Sequence, residues 1–183
     1  MIHHTIHAEN RTRTMAEVDR VLPFHYESEV VVNAPADAVF ALLDDQRRLS
    51  AHMTKPTWMM AGSVMTLEFD AANGRAVGAK IGLRGRFLGI PLSVEELVTE
   101  RNPPLRKVWS TIGKPQLVVI GSYRMGFEIT PGTNTSHLRV FIDYALPDGA
   151  ISYWLGRLFG NFYARWCTQR MTNDAATHFQ EQR

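Results

Sequence analysis

The last long segment of the chain, Ala150 to Phe179, constrains the fold more than any other part of the sequence. Its apolar residues recur at helical spacing, which predicts one helix of about 30 residues and roughly 45 Å. So much apolar surface favours burial, and the preceding segments predict a sheet that could cover it. A long helix laid across a curved sheet encloses a hollow, and an apolar hollow is a site for small ligands. This aromatic row consists of Ile151, Trp154, Leu155, Leu158, Phe159, Phe162 and Trp166.

The preceding segments alternate apolar and polar residues with a period of two, which predicts strands. A β-branched run at 27–33 is the first strand. Two short helices follow, the first capped by Asn33 or Ala34 with Pro35 in its first turn, the second running from Asp45 to about Met53. About six antiparallel strands come next. The predicted fold is α+β: a curved antiparallel sheet of about seven strands wrapped around one long C-terminal helix, with two short helices after the first strand.

Proline and glycine set the expected strand boundaries. Pro91 interrupts the stretch from Phe87 to Glu100, which is therefore one strand or a pair. The segment from Gly113 to Pro115 is expected to turn the strand that covers Val108 to Ile112.

Composition indicates one ordinary globular domain. The chain has 183 residues, of which 45% are hydrophobic and 21% charged. A net charge of +2 gives no reason to expect nucleic acid binding. The single cysteine, Cys167, excludes an intrachain disulfide and suits a reducing cytosol. With no apolar run of signal-peptide or membrane-span length, we expect a cytoplasmic protein without integral membrane association. Residues 1–23 are predicted to be a flexible lead-in and residues 24–183 a single domain.

Four stretches of the chain together resemble a known superfamily: 31–43 (VVNAPADAVFALL), 98–104 (VTERNPP) with 107–109 (KVW), 144–147 (YALP) and 163–166 (YARW). They are similar to the START-like helix-grip superfamily, SRPBCC, which includes START domains, birch-pollen-allergen-like proteins and bacterial aromatase/cyclases. The most similar branch is the bacterial polyketide cyclase/dehydrase and lipid-transport branch. The resemblance covers about Tyr26 to Phe179 and implies a pocket for a hydrophobic molecule between sheet and long helix. It implies no single activity, since members include carriers, sensors and enzymes.

Candidate ligand-binding residues come from the inward faces of the strands and from the aromatic row. Tyr123 and Tyr144 are the strongest, because a buried phenol needs a hydrogen-bond partner and a ligand can be that partner. Each aliphatic candidate is more often plain core. The full set is Met65, Leu67, Phe69, Tyr123, Met125, Phe127, Tyr144, Trp154, Leu158 and Phe162.

A cluster rich in methionine surrounds the second short helix. In the superfamily this region helps to form the pocket mouth, so the resemblance implies a gate here, and methionine suits adaptable surfaces. The alternative is a packing seam, which is slightly favoured. The cluster consists of Met53, Trp58, Met59, Met60 and Met65.

The long segment carries a second pattern. Gly156, Gly160 and Ala164 form a row of small residues, and an apolar row at spacing four begins at Tyr163. Because each helical glycine costs about 1 kcal/mol relative to alanine, the pair predicts a close backbone approach or a flexible lid. The apolar surface therefore moves from one side of the helix to another near the middle of the helix. One part is expected to grip the sheet and the other to meet a second copy, which predicts a homodimer.

Catalytic signatures are weak. The chain has no nucleophile elbow and no metal-ligand spacing, so neither a metal nor a cofactor is expected and no catalytic residue is assigned. Cyclisation or dehydration would need a general acid or base beside the ligand. The groups that could serve are Glu68, Arg86, Glu96, Tyr123 and Tyr144.

Glu96 decides how strong the case for catalysis is. It faces inward if Leu92, Val94 and Val98 do, but a register slip near Pro91 would turn it to water. Of the two positions, we favour the one in which Glu96 faces solvent. The sequence thus predicts binding, as carriage or sensing, of a hydrophobic small molecule such as a lipid, quinone or polyketide. The alternative is an aromatase/cyclase or dehydratase acting on a polyketide-like substrate.

Overall fold

The structure is a computed structural model that describes residues 20–49 and 65–181. Four side chains within these ranges, those of Arg48, Leu49, Met65 and Phe87, are not described. The predicted continuation of the second short helix to Met53 lies outside the described residues, as do Trp58, Met59 and Met60 of the methionine-rich cluster.

Seven antiparallel strands form one sheet in the order β1-β7-β6-β5-β4-β3-β2. The first and last strands pair along their full length, from Phe24 opposite Tyr144 to Val32 opposite Ser136. Two short helices, α1 and α2, follow β1, and the long helix α3 (Ala150–Gln180) lies against β1 and β7. The predicted helix-grip architecture is confirmed. The remaining bounds are β1 Phe24–Val32, α1 Ala36–Asp44, α2 Gln46–Leu49, β2 Met65–Phe69, β3 Lys80–Phe87, β4 Ile90–Asn102, β5 Arg106–Gln116, β6 Tyr123–Pro131 and β7 Ser136–Tyr144.

Helix α1 starts slightly later than predicted. Pro35 is the N-cap, in an extended conformation with φ −67° and ψ 155°, and the first helical residue is Ala36. Asp37 in the first turn complements the positive end of the helix dipole. The buried face of α1 packs on the sheet, where the rings of Phe40 and Phe127 meet edge to face with centroids 5.5 Å apart.

The strands near Pro91 form a pair. A two-residue turn at Leu88 and Gly89 joins β3 to β4, and both residues have positive φ, 49° and 84°. Two positive φ values in a two-residue loop match the twist of a hairpin. Pro91 then lies inside β4, opposite Arg86, and does not interrupt the strand.

The turn predicted from Gly113 to Pro115 is wrong. β5 continues to Gln116, and the extra residues are absorbed as a register shift against β4, with Glu95 opposite Ile112 and Ser93 opposite Gln116. Gly113 has a positive φ of 69°, which a bulge tolerates at glycine. The signal that predicted a turn therefore marks an irregularity inside a strand.

Helix α3 grips the sheet with small residues, and the prediction that its aromatic row packs there is wrong. Ile151, Trp154 and Leu158 are 63–80% exposed, and Phe159 and Phe162 are 50–51% exposed. Leu155 and Trp166 are half-buried. Small side chains let the helix backbone approach the sheet more closely than aromatic ones would. The buried residues of α3 are Gly156, Gly160, Ala164, Cys167, Thr168, Met171, Thr172 and Ala175.

The close backbone approach predicted for the glycine pair is confirmed. A Cβ atom on Gly156 would lie 2.8 Å from Pro147 Cδ and 2.9 Å from the Val119 carbonyl oxygen. A Cβ atom on Gly160 would lie 3.1 Å from the same oxygen. Neither α3 nor any other helix in the described ranges combines the length and apolar character of a membrane span.

Gly156→Ala is expected to destabilise the protein although alanine favours helix. The gain in helix propensity is about 1 kcal/mol, but the overlap with backbone at Val119 should reverse it. We expect a net loss of about 1–3 kcal/mol in the free energy of unfolding, measured by urea denaturation. Asn161→Ala, on the exposed side of the same helix, is the control and should be neutral or slightly stabilising. A Gly156→Ala variant more stable than the parent would contradict the close approach.

Candidate functional site

The inner face of the sheet, which faces α3, forms the wall of the candidate site. On it, Tyr123 lies opposite Tyr144, and Met125 lies opposite both Trp109 and Ile142. Phe127 is fully buried opposite Val140. The structure thus places Tyr123, Met125, Phe127 and Tyr144 inside, where the alternation put them; their contact with a ligand stays a prediction.

Glu96 belongs to this inner wall, so the favoured solvent position was wrong. Its residue is 3% exposed and lies opposite Ile81 on β3 and Thr111 on β5. The register shifts of β4 occur on either side of it, between Ser93 and Glu95 and between Val98 and Glu100. Pairing with β3 is continuous through Glu96. Leu92, Val94, Glu96 and Val98 therefore keep one face, and that alternation was the signal in the sequence.

The Glu96 carboxyl group is only half satisfied. Tyr123 donates its hydroxyl hydrogen to Oε1. Oε2 is buried and accepts no hydrogen bond of good geometry among the described residues, although the Trp109 indole is close enough to the carboxyl group to lower its pKa. An unpaired buried polar atom costs about 1–3 kcal/mol, so such atoms are rare in folded proteins.

Burial also changes the ionisation of this site. Desolvation raises the pKa of Glu96 to about 7, against smaller opposing effects of the Tyr123 hydrogen bond, the Lys107 charge and the Trp109 indole. Burial and the neighbouring Glu96 raise the pKa of Tyr123 well above its usual value. Tyr123 is thus a fixed donor, while Glu96 populates both its neutral and its charged form near neutral pH.

Helix α3 contributes a second pair of polar groups near this site. Burial raises the pKa of Tyr163 well above its usual value. Burial also raises the pKa of Cys167 to about 12, although a hydrogen bond with Tyr163 opposes the shift. Cys167 therefore stays a neutral thiol.

A buried ion-pair network holds α1 against the same wall. Lys107 is 0% exposed, and its Nζ donates to Asp44 Oδ1 at 2.9 Å and to the Asp44 carbonyl oxygen at 3.2 Å. Arg101 Nη2 donates to Asp44 Oδ2, also at 2.9 Å. Burial opposes ionisation of Asp44, but these hydrogen bonds outweigh it and hold its pKa below the usual value. With all its charges paired, the network is a structural part of the wall.

The other candidates divide between the wall and the surface. Leu67 and Phe69 on β2 are half-buried and pack against the core, and Met65 precedes them with its side chain outside the description. Trp154, Leu158 and Phe162 lie on the exposed side of α3. Among the groups named for acid–base chemistry, Glu68 and Arg86 are exposed, which leaves Glu96, Tyr123 and Tyr144 inside.

An open groove of about 810 Å³ lies at one end of the sheet, beside the first turns of α3. Leu92 lines it and shares the inner face of β4 with Glu96, four residues away, or about 13 Å along the strand. Arg20 crosses the groove's edge, where its guanidinium donates to Ser122 Oγ at 2.6 Å and to the Gly113 carbonyl at 2.9 Å. Leu92 therefore links the groove to the strand that carries Glu96, although Glu96 itself does not line the groove.

No protein-family model matches the chain, and no curated protein sequence matches it. Solved structures resemble it at low sequence identity. The Zhui aromatase/cyclase from Streptomyces sp. R1128 has a TM-score of 0.62 and 15% identity, over 86% of this chain and 93% of that one. Norcoclaurine synthase from Thalictrum flavum, a point mutant bound to a transition-state analogue, has a TM-score of 0.61 and 13% identity, over 87% of this chain and 95% of that one.

A third structure, protein CV1439 from Chromobacterium violaceum, has a TM-score of 0.57 and 18% identity, over 86% of this chain and 97% of that one. Likeness at such identities concerns the fold. The chain has the helix-grip fold, as the resemblance implied.

Proposed function

We propose that the protein reversibly binds a hydrophobic small molecule, such as a lipid, quinone or polyketide, between the sheet and α3. Residues 24–183 would form one START-like ligand-binding domain that carries or senses this molecule in the cytoplasm. Affinity would come from apolar surface removed from water, at about 25 cal/mol per Å². The ligand would carry a hydroxyl or carbonyl group for the polar end of the site.

The half-satisfied carboxyl group of Glu96 carries this proposal. As a carboxylate, its Oε2 would accept a hydrogen bond from a ligand hydroxyl, while Tyr123 holds Oε1. As a neutral acid, it would donate to a ligand carbonyl. Either bond would remove the cost of the unpaired oxygen, so one polar group in an apolar wall would orient the ligand.

Native mass spectrometry of freshly purified protein tests for an occupied site. We expect an extra mass that leaves on denaturation and identifies the ligand class. Protein that carries no extra mass and also binds neither apolar dyes nor extracted lipids would overturn the proposal.

A matched pair of probes tests the role of Glu96. At pH 8, where the carboxylate prevails, the parent protein is expected to bind 2-naphthol at least about tenfold more tightly than naphthalene, because the hydroxyl donates to a charged acceptor. Glu96→Leu/Tyr123→Phe should bind both probes alike. Tyr153→Phe, on the exposed side of α3, is the control and should keep the preference. Fluorescence titration measures the six affinities, and an unchanged preference in the double variant would place the polar end elsewhere.

A second function, an aromatase/cyclase or dehydratase on a polyketide-like substrate, is favoured by one observation. A carboxyl group with a pKa of about 7 suits proton transfer at neutral pH, since it both accepts and returns a proton. Glu96→Gln should then abolish turnover of a polyketone while sparing its binding. Turnover that persists in this variant would remove Glu96 from any such chemistry.

A further inference from the structure

The exposed side of α3 carries an apolar ridge that nothing in the described structure covers. Ile151, Trp154, Leu158 and Phe162 follow one another at spacings of three and four, so they share one side of the helix. Each is at least half exposed, and Phe159 beside them is as well. These five residues form the ridge. A row of large exposed apolar side chains is typical of a contact surface.

The charged residues beside the ridge within α3 are all basic. Arg157 and Arg165 follow Trp154 and Phe162 by three residues and therefore flank the ridge. From residue 150 to residue 173, α3 has three arginines and no acidic residue. The third, Arg170, forms an ion pair with Asp174. The facing partner of the ridge should therefore be apolar at its centre and anionic at its rim.

We propose that the ridge docks the protein on the surface of an anionic lipid bilayer, with α3 lying in the interface. Trp, Phe, Leu and Ile on one side of a helix, with arginine beside them, are the composition of interfacial helices. Aromatic rings favour the headgroup level, and each arginine gains from the negative surface.

A second copy of the chain fits the ridge less well. In a symmetric dimer the same patch meets itself, which would bring Arg157 and Arg165 of one copy close to the arginines of the other. Like charges at a contact oppose association. The bilayer supplies the opposite charge, and so the observations favour it over the homodimer.

The ridge is continuous with the groove. Ile151 belongs to both, and the groove also has exposed Val21 and Ile90 in its lining. Among the described residues that line the groove, one is acidic, namely Asp148. A bilayer against the ridge would cover the groove mouth, so an apolar ligand could pass between lipid and interior without crossing water. This last step rests on the proposed function; docking itself does not.

Vesicle co-sedimentation tests the docking. We expect the protein to sediment with vesicles of 70% phosphatidylcholine and 30% phosphatidylglycerol, and weakly with phosphatidylcholine alone. Raising NaCl to 0.5 M should release most of it, because salt screens exposed charges. Absence from the anionic vesicles at low salt would overturn the proposal.

Two double variants separate the apolar and the charged contributions. Trp154→Ser/Leu158→Ser should lower the partition coefficient at least about tenfold, because two large side chains lose their burial. Val31→Ser/Val77→Ser, at exposed positions on the rest of the surface, is the control. Arg157→Gln/Arg165→Gln should also cost about tenfold, whereas Lys80→Gln/Arg84→Gln, with the same change in net charge, should have little effect. Circular dichroism confirms that each variant is folded.

The outcomes distinguish this proposal from the proposed function. Failure of the parent to bind vesicles, together with a dimer in light scattering that Trp154→Ser/Leu158→Ser dissociates, would assign the ridge to a second copy and overturn docking. Equal losses in the two charge variants would also overturn it. Arg157→Gln/Arg165→Gln should keep the 2-naphthol preference in solution. Docking can therefore fail while ligand binding is kept, and ligand binding can fail while docking is kept.

Discussion

Asp44→Ala is expected to lower the free energy of unfolding by about 3–5 kcal/mol, because it leaves the Lys107 ammonium group buried without its charged partner. The Asp44 carboxylate accepts hydrogen bonds from Lys107 and Arg101 together, and Lys107 has no exposed surface. The variant also loses the clamp between the end of α1 and the strands β4 and β5. Urea denaturation with a single transition measures the loss.

Two controls separate this effect from the general cost of losing an ion pair. Asp174→Ala removes a carboxylate whose partner, Arg170, is half exposed, and should change stability by less than about 1 kcal/mol. Lys107→Met should cost less than Asp44→Ala, because Asp44 keeps Arg101 and no charge is left unpaired. A loss for Asp44→Ala as small as that for Asp174→Ala would contradict a buried network.

The second large effect concerns the pH dependence of stability. Glu96 titrates near 4.5 when unperturbed and near 7 in the folded protein. Between these pH values the folded state binds more protons than the unfolded state, so the free energy of unfolding falls as pH rises. The contribution is fully present below about pH 4.5 and lost above about pH 7, and its total is about 3 kcal/mol.

Glu96→Gln should remove this dependence. The variant is expected to be as stable as the parent near pH 4.5. It should then become progressively more stable than the parent up to about pH 8. The difference between the two proteins, measured by denaturation at several pH values, isolates Glu96 from all other titrating groups. Glu95→Gln, the exposed neighbour on the other face of β4, is the control and should show no such trend. A constant difference across the range would mean that Glu96 is not desolvated.

These two predictions bear on function in different ways. The Asp44 network is fully paired and explains why the wall holds its shape, whereas Glu96 is unpaired on one oxygen and destabilises the protein as its charge develops. Proteins keep such groups mostly at sites that bind or react. A ligand that satisfies Oε2 should therefore stabilise the protein most above pH 7.

The fold could be predicted from the sequence because its signals are local. Alternation with a period of two marks the strands of the inner wall, and Tyr123, Met125 and Phe127 face where that alternation put them. A long stretch at helical spacing marks α3, and the pair Gly156 and Gly160 predicted a close approach. Each of these signals depends on neighbours within a few residues, which a sequence displays directly.

Tertiary structure decided which surfaces meet. The sequence predicted that α3 would bury its aromatic row, but its small residues face the sheet, because contact between helix and sheet depends on how closely their backbones can approach. Likewise Glu96 carried the right alternation, but its position depended on whether the shifts in β4 fell before it, after it or on both sides. Long-range register and close packing are properties of paired strands and packed helices. The sequence alone therefore determined the elements and their pattern. Only the assembly of these elements determined that Glu96 is buried and that the ridge is exposed.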